Sequence, residues 1–241
     1  MKPCKGDEPL GVWALILASG EGKRAVTVRP KQFVPIGGRT PVERCLDVFE
    51  AHPRIDSILL VIHPGFVAWA LEMTSRNGYS KLLRTIPGGK TRQESSWAGV
   101  QGLNEGGDES LVLIHDAVRP FVSHDLINGC LSALGTQDAV VPVLPATETL
   151  VTVDESGRVR AVPERSRWMR VQTPQGFRTR IITKAHQLAG ETGRSDFTDD
   201  SGMVREFDLA AIQTIPGDLR NIKITYPEDI WLAERLCEKE R

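Results

Sequence analysis

No run of apolar residues in this chain approaches the roughly 20 needed to cross a bilayer, and the first ten residues, holding Lys2, Lys5, Asp7 and Glu8, lack the apolar stretch of a signal peptide. The expectation is a cytoplasmic protein that neither spans nor binds a membrane. Neither sign of charge prevails: 30 basic residues against 31 acidic ones leave a net charge of −1, so no global field draws in nucleic acid or an anionic surface. Any anion site must be local. The four cysteines, Cys4, Cys45, Cys130 and Cys237, form no CxxC pair and no metal-ligand spacing, which leaves reduced thiols in or near the core. The GxxxxGK[ST] signature of a P-loop is also missing.

What remains is an ordinary globular composition, 40% hydrophobic and 25% charged over 241 residues, and it is read as one domain over 1–241. Residues 12–18 (VWALILA) form a continuous apolar run, as a strand buried on both faces requires. Similar runs recur at 57–62, 111–114 and 139–144. Helical patterns lie between them: Val42, Cys45, Leu46 and Phe49 share one helix face. Thr91 to Glu94 and Thr225 to Glu228 both have capping-box spacing, with Pro227 suited to a first turn. Alternating strands and helices predict a mainly parallel, Rossmann-like α/β sheet covered on both faces, with ligands beyond the carboxyl ends of the strands. Residues 148–171 break the rhythm. Short β-rich pieces flank Asp154-Glu-Ser-Gly157, a turn composition that predicts a protruding β-arm for a dimer contact.

The sharpest chemistry follows the first strand. In Leu17-Ala-Ser-Gly-Glu-Gly-Lys-Arg24, Gly20 and Gly22 let the backbone turn tightly against a ligand. Lys23, Arg24, Arg29 and Lys31 then place four cations within nine residues, as a triphosphate with a pyrophosphate leaving group needs. A dinucleotide fingerprint would want a third glycine where Lys23, Arg24 and Ala25 stand. Asp116 closes the apolar run at 111–114 and suits a Mg²⁺ ion, which favours oxygen donors; alternatively it pairs with Arg119. His115 beside it reads as structural.

With Arg29-Pro-Lys-Gln32, this turn resembles the nucleotide signature of the 2-C-methyl-D-erythritol 4-phosphate cytidylyltransferase family. The resemblance continues in order through Gly88-Gly-Lys-Thr-Arg-Gln-Glu-Ser95, His115-Asp-Ala-Val-Arg-Pro-Phe121, Thr173-Pro-Gln175, Thr198-Asp-Asp200 and Asn221-Ile-Lys-Ile-Thr225. It implies that CTP is bound by Ala18, Ser19, Gly20, Gly22, Gly88, Gly89 and Ser95, the last three at the base. It implies that Arg24, Lys31 and Lys223 act in catalysis, with Lys223 in a strand-like segment at 221–225, and that Asp116 holds the metal. Thr149, Arg165, Thr173 and Thr198 match positions that hold the acceptor, a polyol phosphate. Arg165, eight residues before Thr173, lies in the arm and would complete the neighbouring site of a homodimer.

Some positions depart from the family pattern. Ser19 and Val118 stand where alanine is usual, Ala25-Val26 replaces Met-Gly, and Glu148-Thr-Leu-Val151 replaces an Asp-Thr-Ile-Lys-like segment. The last, with the His115 segment, also resembles the ribitol 5-phosphate cytidylyltransferases, so that acceptor stays open here. A sugar-phosphate nucleotidyltransferase using UTP or dTTP, a non-catalytic nucleotide-binding module and a hydride-transferring dinucleotide enzyme are the remaining readings.

Overall fold

A computed structural model of the chain describes residues 11–20, 29–103 and 107–238. The run VWALILA forms β1 (Val12–Ala18), followed by β2 (Ser57–Ile62), β3 (Leu82–Pro87), β4 (Leu111–Asp116) and β5 (Ala139–Pro145). Later come β6 (Thr152–Val153), β7 (Val159–Ala161), β8 (Met169–Val171), β9 (Gln175–Arg178) and β10 (Ile212–Pro216). The main sheet runs β10-β5-β9-β4-β1-β2-β3, with β8 pairing on β5. Strands β3, β2, β1 and β4 are parallel to one another, as are β5 and β10, while β9 and β8 run antiparallel to their neighbours. The mainly parallel Rossmann-like sheet expected from the apolar runs is the observed one.

Successive residues of β1 face opposite layers, and both layers are buried. Ala14, Ile16 and Ala18 pack with α1 (Pro41–Ala51), α2 (Val67–Asn77) and α4 (His124–Ala133). Trp13, Leu15 and Leu17 pack against α3 (Arg92–Gln101), α5 (Thr179–Glu191) and α6 (Asp200–Glu206). Two-sided burial is why these strands carry no polar alternation. A smaller cluster seats α7 (Pro227–Glu238) through Ala233 and Cys237 on Ile36, Phe121 and Ile224. Cys45, Cys130 and Cys237 are buried, and burial raises the Cys130 thiol to about 12.

The caps refine the sequence reading. Thr40 and Glu43 form a full capping box on α1. On α3, Thr91 Oγ1 accepts the Glu94 N–H, but the Glu94 carboxylate takes the Lys90 N–H, so only half the box forms. On α7 the expected Glu228 is replaced by Asp229, whose carboxylate accepts the N–H groups of Thr225 and Tyr226. The segment 221–225 is not a strand. Its polar groups go to side chains instead: Arg119 and Gln172 donate to the Asn221 carbonyl, and Asn221 Nδ2 donates to the Thr173 carbonyl at 2.7 Å. The Ile224 N–H finds a backbone partner across the gap, Val118 O at 2.8 Å.

Strands β6 and β7 form a separate antiparallel hairpin around Asp154 to Gly157. The Asp154 carboxylate accepts the N–H groups of Ser156 and Arg158 and so closes the turn. Val153, Val159 and Val162 on this hairpin are exposed.

Candidate active site

The chain leaves β1 toward β2 and β3 on one side and returns to β4 on the other, so the direction of winding reverses between β1 and β4. Ligands bind outside the strand ends at such a reversal. Here the carboxyl ends of β3, β2, β1 and β4 present, in spatial order, Gly88, His63, Ser19 and Asp116. Neighbouring strands lie about 4.8 Å apart, so the row from β3 to β4 is about 14 Å long. A cleft of about 780 Å³ opens over it. Toward β3 it is built of Pro64, Gly88, Gly89, Lys90 and Glu94; toward β4 it carries Arg92, Asp116 and Lys223, with Ser19 and Lys31 beside the end of β1 between them. The glycine turn leaves room for a base, and the ionic cluster around Asp116 suits phosphates.

At the β3 end and beside β1, Gly88 has no room for a side chain. A Cβ there would stand 2.3 Å from Ser19 Cβ and 2.8 Å from Ser95 Oγ, so only glycine lets the turn close on the end of β1. Lys31 sits in a short 3-10 turn, Lys31–Phe33. Next to it, the buried Gln32 amide donates to the carbonyls of Ala18 and Gly20. That amide ties the basic segment to the end of β1.

At the β4 end, Asp116 is buried and makes two charge-assisted bonds. Arg92 Nε reaches one oxygen at 3.0 Å and Lys223 Nζ the other at 2.8 Å. Burial alone would raise the pKa of this carboxyl, but the neighbouring guanidinium and ammonium hold it far below the usual carboxylate range. Arg92 in turn reaches Asp200 at 2.8 Å. Asp200 is held to about 2, burial being outweighed by Arg92 and by hydrogen bonds. His115 is wholly buried, bonded to Thr173 Oγ1 and the Arg119 carbonyl, and desolvation lowers its pKa to about 4. A neutral imidazole in that place braces the loop.

The match to known proteins covers nearly the whole described chain. The family model for 2-C-methyl-D-erythritol 4-phosphate cytidylyltransferase matches residues 12–239. The chain belongs to that family. It is 37% identical over 230 residues to the cytidylyltransferase of that name from Thermobifida fusca, covering 93% of this chain and 92% of the relative. It is 40% identical over 216 residues to a bifunctional enzyme IspD/IspF from Nitrobacter hamburgensis, covering 90% of this chain but 52% of the relative. The chain therefore spans about half the length of such bifunctional relatives. Among solved structures it resembles 4-diphosphocytidyl-2C-methyl-D-erythritol synthase from Anaerococcus prevotii, with a TM-score of 0.81, 30% identity and 95% and 96% coverage of the two chains. It also resembles the family's cytidylyltransferase from Thermus thermophilus, with a TM-score of 0.74, 32% identity and 95% and 99% coverage.

Within this family fold, a second hollow of about 570 Å³ adjoins the first and shares Arg92, Asp116 and Lys223 with it; Thr173 and Thr198 line it. Lys31 and Lys223, almost two hundred residues apart in sequence, face one cleft. Thr149 and Arg165 line neither hollow. Both are exposed at the base of the arm, where Arg165 Nη1 donates to the Thr147 carbonyl. Gly22 and Arg24 lie outside the described residues. A further cavity of about 890 Å³, behind the loops that carry Arg119 and Lys223, contains none of the expected site residues, and its Arg39 and Asp47 are paired with each other at 2.7 Å.

The structure adds three things that motif reading missed. Arg92 is the hinge of the ionic chain, not merely a residue of a helix cap; its signal was only its place inside the 88–95 motif. Asp116 pairs with Arg92 and Lys223, whereas Arg119 is turned to the carbonyls of Asn221 and Val171. Ser95 does not face the cleft. It is buried behind Gly88 and Gly89, and Ser19 stands in front of it, with the two hydroxyl oxygens 2.6 Å apart.

Among the described residues no three of His, Cys, Asp and Glu gather as a metal site. Asp116 is the carboxylate at the β4 end of the cleft; Glu94, at the β3 end, is engaged by the Lys90 N–H. One carboxylate beside triphosphate oxygens is a donor set that suits Mg²⁺, because that ion keeps several waters and shares substrate phosphates. No helix among the described residues is long and apolar enough to cross a membrane.

Proposed function

We propose that this chain transfers CMP from CTP to 2-C-methyl-D-erythritol 4-phosphate, giving 4-diphosphocytidyl-2-C-methyl-D-erythritol and pyrophosphate in isoprenoid precursor synthesis. Family membership supports the reaction. The observation that carries it in this chain is the pair of adjoining hollows sharing Arg92, Asp116 and Lys223, which gives two anions a common charged wall. The family model and the relatives from Thermobifida fusca, Anaerococcus prevotii and Thermus thermophilus carry the methylerythritol name, so the ribitol alternative is set aside.

The acceptor's phosphate is largely ionised at neutral pH, with a second pKa near ~6, and needs no general base. One of its oxygens attacks the α-phosphorus of CTP. A new P–O bond forms as the bond to the bridging oxygen breaks, and the electron pair leaves with pyrophosphate. What the protein supplies is alignment and neutralisation of two mutually repelling anions. Lys31 meets the triphosphate from the side of β1, and Lys223 meets the reacting phosphates from the wall shared by the two hollows. Arg24 is assigned to the triphosphate with them. Ala18, Ser19, Gly20, Gly22, Gly88 and Gly89 enclose the nucleotide, with Ser95 supporting the turn. Asp116 holds a divalent cation, taken as Mg²⁺, whose chemistry when bound is to offset triphosphate charge. Its two basic neighbours keep the carboxylate ionised and oriented for that task.

Thr173 and Thr198 bind the acceptor in the second hollow. Thr149 and Arg165 are too far out on the arm base to line their own chain's hollows, so they are assigned to a site completed by a second copy. The exposed Val153, Val159 and Val162 give the arm an apolar surface for that contact. The whole is one domain with an arm, working on phosphorylated metabolites of the cytoplasm.

The test is direct: incubate the protein with CTP, Mg²⁺ and a panel of polyol phosphates that includes methylerythritol 4-phosphate and ribitol 5-phosphate, and follow pyrophosphate. Release with the methylerythritol compound above all others is expected. Release with ribitol 5-phosphate in its place, or with none, refutes the assignment.

A further inference from the structure

We infer that Ser19 helps choose the base of the nucleotide, its hydroxyl oxygen acting as a hydrogen-bond acceptor that favours the amino group at C4 of cytosine over the carbonyl oxygen at C4 of uracil. The inference rests on the reading of the first cleft as a nucleoside triphosphate site and adds a residue for which the family pattern, with alanine at this place, has no counterpart.

The placement comes first. Ser19 follows β1, is half-buried, and lines the cleft beside Gly88 and Gly89. Arg92 and Lys223 stand with Asp116 at the end of β4, and Lys31 lies beside the end of β1. A nucleotide laid along the row with its phosphates toward Asp116 turns its base to Gly88 and Gly89, next to Ser19.

The count of protons then fixes what Ser19 offers. A hydroxyl has one hydrogen to donate and two lone pairs to accept with. Ser95 is full: Oγ accepts from Ser19 Oγ at 2.6 Å and from the Gly89 N–H at 3.1 Å, and donates to the Thr91 carbonyl at 2.8 Å. The one proton of Ser19 is therefore committed inward, to Ser95. Its outward lone pairs can only accept. The neighbouring turn has the same bias, because the Gly88 N–H is taken by the Ile62 carbonyl at 2.8 Å and the Gly89 N–H by Ser95. At Ser19, Gly88 and Gly89 the wall thus offers a hydroxyl acceptor and no open glycine N–H, which suits an amino group and leaves a carbonyl oxygen facing lone pairs; the donors of this cleft are side chains further along, Lys90 among them. Rejection of this kind is effective because the mismatched polar groups go unpaired.

Reversing the inward bond costs a contact: were Ser95 to donate to Ser19 instead, the Thr91 carbonyl would give up its 2.8 Å bond and keep only the Ser95 N–H at 3.1 Å.

Two variants and three nucleotides test this: Ser19→Ala and Ser95→Ala, assayed for kcat/KM with CTP, UTP and pyrimidin-2-one ribonucleoside triphosphate, which lacks any substituent at C4. Ser19→Ala is expected to lower kcat/KM for CTP about three- to tenfold while leaving UTP and the pyrimidinone nucleotide unchanged. Ser95→Ala frees the Ser19 proton, and UTP use should rise by a similar factor. An equal loss on CTP and the pyrimidinone nucleotide in Ser19→Ala would overturn the inference, since it would put the contact elsewhere on the ring. So would an unchanged CTP-to-UTP ratio in both variants. If the unaltered protein makes no pyrophosphate from CTP with any polyol phosphate, it is the nucleotide-site reading that has failed.

Discussion

The guanidinium of Arg92 lies 2.8 Å from the carboxylate of Asp200, which is 1% exposed. The same carboxylate accepts the Ser96 hydroxyl at 2.6 Å and stands 3.6 Å from His186. Arg92 turns its other side to Asp116. Arg92 is thus shared by two anions while Lys223 offsets the charge of Asp116, so Arg92 positions Asp116 rather than offering a free charge to substrate, and loss of Asp200 leaves the cluster with an excess positive charge. Breaking a buried pair strands the remaining charge and typically costs about 3–5 kcal/mol. Asp200→Asn is expected to lose stability on that scale in urea unfolding; a loss below about 1 kcal/mol would mean the pair is relaxed in solution.

Lys31→Ala and Lys223→Ala should fold normally and lose about 10²–10³ in turnover, the usual effect of removing one charge-stabilising donor. Steady-state kinetics with saturating CTP and acceptor, alongside circular dichroism, measures both. Near-normal turnover in either variant would remove that lysine from the proposed chemistry.

Arg165→Ala is expected to raise KM for the acceptor more than for CTP. Mixing it with a Lys31→Ala protein should then restore part of the activity, because one site of the mixed pair regains both side chains. A selective effect on CTP, or no restoration, would contradict the assignment of the arm to a neighbouring site.

Glu43 supplies a pH prediction. Burial works to raise its pKa, but hydrogen bonds from the Thr40 N–H and hydroxyl and from Asn77, with Arg39 nearby, hold it below the ordinary glutamate value. A depressed carboxyl stabilises the fold fully above its unfolded pKa of about 4.3 and loses that contribution as pH falls through the lower folded value. Glu43→Gln should therefore be less stable than the parent at pH 7, and the gap should narrow below about pH 4.3. A gap independent of pH between 7 and 3 would show that the charge of Glu43 contributes nothing.

The central fold was legible because β1, β2, β4 and β5 are buried on both faces, which forces apolar runs that alternation cannot disguise. Strand β9 was not, since Gln175–Arg178 is four residues with one large apolar side chain and gains its place from pairing with β4 and β5. The segment around Lys223 was misjudged for a related reason. Its extended shape comes from Arg119, Gln172 and Asn221 holding carbonyls across the loop, and side-chain bonds of that kind leave no period in the sequence. In the site, the motifs located Lys31, Asp116, Gly88 and Lys223. They did not reveal that Arg92 links Asp116 to Asp200, or that Ser95 sits behind Ser19, because both facts depend on which way a side chain turns.

The wall common to both hollows makes the two ligands thermodynamically dependent. An anion that draws Lys223 toward itself weakens the hold of that ammonium on Asp116 and alters the potential felt next door. Whatever factor CTP imposes on acceptor affinity, the acceptor must impose on CTP. Titrating each ligand in the presence and absence of the other should close that cycle, and its sign would tell whether the enzyme gathers its substrates cooperatively or makes them compete for the same positive charge.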